Sequence, residues 1–298
     1  MATLRDIKTR IGSIISIEKI TQAMKMIATA KLRKAQNQIE SARPYFIKLE
    51  SSISKIITSL EDDYNNPLIK KPNEINNIAV IVISSDRGMC GSFNTNLLKE
   101  TSIALHSYIP QKYPNAKISV LPIGKKAISY FNKLQFPIIN RFANITDNAD
   151  FAKVKDIIDE IKIKFLNSEF DLVLVHYVRF INIMKQIPSQ IQLLPLPTEN
   201  KEEKETTKFN LNYIYEPDKT AILDELIPQL IDSKMWAAIL ESNTAEQAAR
   251  RVAMDNATSN ANDLIKSLNL VYNNVRQANI TREIIEIVSG ANALKGAD

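Results

Sequence analysis

The chain reads as an α/β protein whose long N- and C-terminal helices pair as an antiparallel coiled coil, with a central α/β domain between them. The two ends carry one apolar period and the middle carries another. From residue 28 the apolar positions are Ala28, Leu32, Ala35, Ile39, Ala42, Phe46, Leu49, Ile53, Ile56 and Leu60, at steps alternating between four and three. Near the other end they are Ala257, Ala261, Leu264, Leu268, Val271, Val275 and Ala278, then Arg282 out of character, then Ile285. Such alternation puts one narrow stripe on each helix, the mark of a coiled-coil seam. No proline follows Pro228. Two seams at opposite ends can zip together when the middle returns the chain, which predicts a rod with a globular body at one end.

The first helix is expected over residues 1–60. Its opening stripe, Leu4, Ile7, Ile11, Ile14, Ile17, Ile20, Met24 and Ile27, contains consecutive steps of three, which predicts local overwinding. Pro44 removes one helical hydrogen bond and crowds the carbonyl of Glu40, so a kink is expected there. Residues 61–77, with Asp62, Asp63, Asn65, Asn66, Pro67 and Pro72, read as a connector. The central domain is expected over 73–210. Ile78 to Ile83 is an unbroken apolar run ending at Ser84-Ser85-Asp86, the pattern of a buried parallel strand and its turn. A helix at about 94–109, a strand at Ile118–Ile123, helices at about 125–134 and 151–167, and a strand at Phe170–Tyr177 follow. Phe180–Gln186 and Gln190–Leu196 read as further extended segments, and strands alternating with helices imply an α/β body. Lys201 to Glu205 reads as a solvated loop. The last segment, 213–298, carries the second long helix, from Asp218 or Lys219 to about Ser289, before Gly290.

Composition narrows the classes of function. The 298 residues are 45% hydrophobic and 24% charged, ordinary for a globular protein. No stretch approaches the roughly 20 apolar residues of a membrane helix, and Met1 to Asp6 lacks the apolar core of a signal peptide, so none is expected. The single Cys90 leaves no internal disulfide and no multi-cysteine metal site. Net charge is +5, and residues 1–60 hold eleven Lys and Arg against four Asp and Glu. The first helix is therefore the basic part, suited to an acidic surface, to nucleic acid or lipid, or simply to solvent.

Few motifs carry chemistry. Ser84-Ser85-Asp86-Arg87-Gly88-Met89-Cys90-Gly91 ends the first strand, where α/β sheets usually bind ligands. It is neither a GxGxxG nor a GxxxxGK[ST] phosphate cradle. Cys90 has no base beside it in sequence, so a turn holding Arg87 outward for a partner is the reading preferred. His176 follows four apolar residues and reads as a strand residue with a satisfied ring; His106 is uninformative. Carboxylates are scattered, and no metal or dinucleotide fingerprint is present.

Three segments together carry a family resemblance. The first is Ile20 to Ala28 (ITQAMKMIA), with Lys31-Leu32-Arg33-Lys34 and Ala42-Arg43-Pro44-Tyr45. The second is Ser85 to Gly91. The third runs from Glu246-Gln247-Ala248-Ala249-Arg250 through Met254, Leu270-Val271-Tyr272-Asn273, Arg276-Gln277-Ala278, Ile280-Thr281 and Glu283, to Glu286-Ile287-Val288-Ser289-Gly290-Ala291. Taken together they resemble the gamma subunit of the F-type, proton-translocating ATP synthase, bacterial type, over the whole chain and least between about 110 and 210. Just beyond the second segment, Phe93 stands where a second small residue or leucine is usual in the loop, and the inserted cysteine pair of chloroplast forms is missing.

The resemblance implies a Rossmann-like central domain beside the foot of the coil. It implies a non-catalytic central-stalk rotor, without cofactor or metal, that couples proton-driven rotation of a membrane ring to ATP synthesis, or to hydrolysis in reverse, on the beta subunits. The implied partners are three alpha and three beta subunits, an epsilon subunit and the membrane ring, with one copy of the chain per complex and no nucleic acid. The implied place is peripheral, at the cytoplasmic face of the bacterial plasma (inner) membrane. Contacts with alpha and beta would fall on Met24, Lys25, Lys31, Arg33, Arg87, Arg276, Gln277, Thr281 and Glu283. The ring would meet Tyr213, Tyr215 and Glu216. Met24 serves equally as seam, and Glu216 with Asp218 equally as a favourable helix start. A free-standing basic coiled-coil adaptor and an α/β nucleotide-binding enzyme are the other readings.

Overall fold

Asn77–Ile83 (β1) is apolar from Ile78 onward because both of its faces are buried. Ala79, Ile81 and Ile83 enter one core cluster and Ile78, Val80 and Val82 the other, as the two-residue period of a strand requires. The computed structural model describes residues 3–58, 64–70, 72, 74–146, 149–197 and 215–295. The other elements are α1 (Leu4–Thr58), α2 (Phe93–Ile103), α3 (Ile109–Lys112), β2 (Lys117–Ile123), α4 (Lys125–Leu134), α5 (Phe151–Leu166), β3 (Leu172–Phe180), β4 (Gln186–Leu194) and α6 (Lys219–Lys295). Leu60 and Lys201 to Glu205 lie outside the described residues.

The sheet order is β2-β1-β3-β4; β1 pairs parallel with β2 and β3, and β4 runs antiparallel beside β3. Ile138 and Phe142 bridge to the outer side of β2 and cover that edge. One face packs on α5 and on parts of α1 and α6, including Leu49, Ile53, Leu223 and Ile239. The other packs on α2 and α4, with Phe131 at its centre. The expected extended segment Phe180–Gln186 is instead the end of β3 and a hairpin turn. Asn182 Oδ1 accepts from the amides of Met184 and Lys185 at 2.9 and 2.8 Å, the local bond that makes asparagine a turn residue. The expected helix at 94–109 continues through a π-helical turn, Ala104–Tyr108, into α3.

Contacts divide the chain into two units, Met1–Ala28 with Arg251–Asp298, and Thr29–Arg250. In the first unit the helices are antiparallel: Lys25 pairs with Asp255 at 2.6 Å and the Thr258 hydroxyl donates to Thr21 Oγ1 at 2.9 Å. The seam differs from the one expected. On α1 the shielded positions are Leu4, Ile7, Ile11, Ile14, Glu18, Thr21, Met24 with Lys25, and Ala28. Ile17 and Ile20 are 51% and 59% exposed, so the expected step of three vanishes and the three-four alternation is unbroken. On α6 the shielded positions are Met254, Ala257 with Thr258, Ala261, Ile265, Leu268, Tyr272, Val275 and Asn279, while Leu264 and Val271 are 49% and 46% exposed. Polar residues occupy part of the true seam, so apolarity selected the neighbouring position.

In the second unit, α6 is enclosed over nearly its full circumference between Ile239 and Arg250, the condition of a central helix rather than a surface one. Lys162 of α5 reaches Asp232 of α6 at 2.8 Å, and Lys234 reaches Glu50 of α1 at 3.3 Å. From the connector, Tyr64 Oη and Asn66 Nδ2 donate to Asp224 Oδ1 at 2.7 and 3.0 Å. Helix α6 also passes through Gly290 to Lys295 instead of stopping at Ser289; one glycine in a helix costs about 1 kcal/mol, too little to end it without a left-handed cap. No described helix is long and apolar enough to cross a membrane.

Candidate functional site

Strand β1 delivers Ser84, Ser85 and Asp86 to the carboxyl edge of the sheet, all three buried. Ser84 Oγ donates to the Ile123 carbonyl at 3.2 Å and accepts from the Ala127 amide at 2.8 Å. Asp86 Oδ1 accepts from the amides of Lys125 and Asn144 at 3.1 and 2.8 Å, and Oδ2 from the Thr146 hydroxyl at 3.0 Å. The first amides of α4, the kind of helix start at which α/β folds commonly seat a phosphate, are therefore taken within the chain, those of Lys125 and Ala127 by side chains and that of Lys126 by the Ser85 carbonyl. Gly124 makes this closure possible: a Cβ there would lie 2.3 Å from the Ser84 carbonyl oxygen, and its φ is +95°.

Beyond Asp86 the chain turns sharply, with Met89 at φ 62° and Gly91 at φ 58°. Ser85 Oγ donates to the Arg87 carbonyl at 2.7 Å, and Asn94 Nδ2 donates to Ser85 Oγ at 2.7 Å and approaches Cys90 Sγ at 3.1 Å. The Arg87 side chain is exposed, as the sequence reading preferred. From α6, Arg250 Nη2 donates to the carbonyls of Arg87 and Gly88 at 3.4 and 3.3 Å. Cys90 is buried, and desolvation raises its thiol pKa above the ordinary value, against the hydrogen bond it shares with Ser85 and the charge of Arg250. A thiol held neutral is a packing group rather than a nucleophile.

Beside the turn a cleft of about 690 Å³ opens between α2 and α4, lined by Leu98 and Tyr130 and bearing Lys99, Lys126 and Lys133. None of the described residues lining it is acidic, so its lining carries positive charge only. His176 departs from expectation: it is 4% exposed on β3, and among the described residues its Nε2 has no hydrogen-bond partner. Burial lowers its pKa to about 4. His106 is exposed, its Nδ1 2.8 Å from the Ser102 carbonyl and its ring edge-on to Phe136. Among the described residues no group of three or more His, Cys, Asp or Glu is placed to hold a metal ion.

The other expected contact residues are dispersed. Met24 is half-buried beside Lys25, which is tied to Asp255. Lys31 is half-buried and Arg33 exposed. Arg276, Gln277, Thr281 and Glu283 are all exposed on α6 in the first unit, whereas Arg87 belongs to the second. Tyr215 packs against the core with Lys219 Nζ 5.3 Å from its ring centre, and Glu216 is exposed. Tyr213 lies outside the described residues. Two contributors escaped sequence reasoning, Asp86 and the Glu246–Arg250 pair. The signal for the pair was present: opposite charges one helical turn apart in an alanine-rich stretch.

Residues 3–294 match the family model described as ATP synthase. The chain is 41% identical over 296 residues to the ATP synthase gamma chain of Chlorobium phaeobacteroides (strain BS1), covering 99% of this chain and 100% of that one. It is 39% identical to that of Chlorobium limicola over 295 residues, with the same coverage. Among solved structures, it is similar to a chain of the Euglena gracilis mitochondrial ATP synthase (OSCP/F1/c-ring, rotational state 3), with TM-score 0.66, 18% identity and coverage of 98% and 94%. A chain of the Tetrahymena thermophila mitochondrial ATP synthase central stalk and c-ring gives TM-score 0.59 at 24% identity, covering 80% of this chain and 99% of that one. At these identities the structural likeness is one of fold.

Proposed function

Because this chain belongs to the family of ATP synthase gamma chains, we propose that it is the central-stalk rotor of an F-type ATP synthase, coupling rotation of a membrane ring to ATP synthesis or hydrolysis on the beta subunits. The observation that carries this is likeness to gamma chains over essentially the whole length of both partners. The rotor does no chemistry itself; it meets each beta subunit with a different face and so gives each a different nucleotide affinity, a coupling of contact energy to binding energy. Self-occupation of the crevice by Ser84 and Asp86 supports a non-catalytic role, since those groups hold the amides a nucleotide phosphate would need.

The partners in this reading are three alpha and three beta subunits, an epsilon subunit and the membrane ring, with one copy of this chain per complex. It is peripheral at the cytoplasmic face of the plasma membrane. Met24, Lys25, Lys31, Arg33, Arg87, Arg276, Gln277, Thr281 and Glu283 meet alpha and beta; Tyr213, Tyr215 and Glu216 meet the ring. Exposure of Arg87, beside a lysine-bearing cleft without acidic lining, supports a partner surface of negative charge. Exposure of Arg276 and Gln277 supports charge-assisted contacts there.

Reconstitution tests the reading. The purified chain is expected to hydrolyse no ATP and to restore ATPase activity to alpha and beta subunits. Arg276→Leu and Gln277→Leu should each lower that turnover severalfold with an unchanged circular dichroism spectrum. Failure of the wild-type chain to restore activity would overturn the rotor reading; wild-type turnover in both variants would remove only the contact assignment.

A further inference from the structure

We propose that Arg250 is a positioning residue, clasped to Glu246 on α6, that ties the Arg87 turn to the long helix through the turn's carbonyls. Nη2 stands 2.7 Å from Glu246 Oε1, with the Arg250 and Glu246 side chains 10% and 2% exposed. The same nitrogen lies 3.4 Å from the Arg87 carbonyl and 3.3 Å from that of Gly88, while Nη1 donates to Gln247 Oε1 at 3.2 Å. Nη2 thus joins turn and helix through one atom, ion-paired with Glu246 while donating to the two carbonyls, and Nη1 adds Gln247 from the same turn of the helix. Holding an ion pair and three carbonyl oxygens at once requires the planar fork of arginine; the single ammonium of lysine cannot span them.

The turn needs such a holder. Its two carbonyls immediately precede Met89, whose φ of 62° is a conformation that a non-glycine residue keeps only where its surroundings fix it. The Ser85 hydroxyl also grips the Arg87 carbonyl, at 2.7 Å. Force applied to the exposed Arg87 side chain therefore passes through a stiff backbone into α6 instead of being absorbed by a yielding loop. The mechanical consequence rests on the reading of Arg87 as a partner contact; the clasp itself does not.

Hydrogen exchange on the full-length chain separates clasp from scaffold. In Arg250→Ala the amides between Gly88 and Gly91 should exchange at least tenfold faster while those of Ile78–Ile83 keep the wild-type rate. Arg250→Lys, which keeps the charge opposite Glu246, should also loosen the turn. Equal acceleration of strand and turn, or an unaltered turn, would overturn the proposal. In the reconstituted complex, ATP-driven proton pumping per ATP hydrolysed should fall at least threefold in Arg87→Ala and in Arg250→Ala, and no further in the double variant. Losses that multiply would mean that Arg250 acts independently of the turn, which also overturns it. A loosened turn in Arg250→Ala with wild-type pumping in Arg87→Ala would uphold the clasp and remove the contact reading of Arg87 instead.

Discussion

His176 is a residue whose cost is set entirely by where the sheet puts it. It pairs in register with Val82 of β1 and Gln190 of β4, and among the described residues its Nε2 meets neither a donor nor an acceptor. Burial holds its pKa at about 4, against 6.5 for an exposed imidazole. The unfolded chain therefore binds a proton below pH 6.5 that the folded chain accepts only near pH 4. The neutral imidazole's contribution to stability is complete above pH 6.5 and is lost as pH falls from 6.5 towards 4, by roughly 3 kcal/mol at most. Urea unfolding at pH 7, 5 and 4 should show this loss in the wild type and a shallower one in His176→Leu. Equal slopes in the two proteins would mean that other groups govern the acid limb. Asp86 shows the opposite economy: a buried carboxylate that is fully occupied by two amides and a hydroxyl closes the sheet edge.

At the scale of elements, the heptad helices of the first unit show how a seam can be found and yet misplaced by one residue. Thr21 meets Thr258 and Lys25 meets Asp255 in positions that a purely apolar reading assigns to Ile20 and Met24. A polar seam pair weakens packing locally while fixing register, the best-attested use of such residues in coiled coils. The observed stripe makes a sharp distinction on α6. Ala261 is 5% exposed and Leu264 is half exposed. Ala261→Glu should destabilise the chain by roughly 2 kcal/mol or more, because the carboxylate would be buried without a partner. Leu264→Glu should stay within about 0.5 kcal/mol of wild type, as surface substitutions do. The apolar seam would contain both positions, so thermal unfolding decides through Leu264: a loss in Leu264→Glu as large as that in Ala261→Glu would restore the apolar seam.

For the whole molecule, the two units differ in how they are held. The second has two apolar clusters on opposite faces of a four-stranded sheet. The first has a single seam, and towards its C-terminal end Ile284, Ile285, Ile287 and Val288 are all more than half exposed. Contiguous exposed apolar groups of this kind call for a partner surface, and for a rotor a non-directional apolar bearing lets contacts slide without breaking hydrogen bonds. Replacing Ile284, Ile287 and Val288 together by Ser should leave the melting of the isolated chain nearly unchanged. The same change should measurably weaken assembly with alpha and beta subunits in size-exclusion chromatography. Undiminished assembly would show that the tail needs no cover.

Local pattern along the chain specifies the two heptad helices, the buried strand at Ile78–Ile83, the order of the α/β elements and the outward Arg87 turn. Each of these rests on local periodicity or on a short contiguous pattern, which neighbouring residues alone impose. The sequence could not determine which side of each stripe becomes the seam, because Thr21, Lys25 and Thr258 line it only when the opposite helix supplies a matching polar group, Thr21 and Thr258 for each other and the exposed Asp255 for Lys25. Nor could it show that Asp86 fills the start of α4, or that Arg250 holds a turn more than 160 residues earlier in the chain. Those are bonds between groups far apart in sequence. Only the packing of α4 and α6 against the edge of the sheet brings their donors and acceptors within reach, and only burial there gives the bonds their strength.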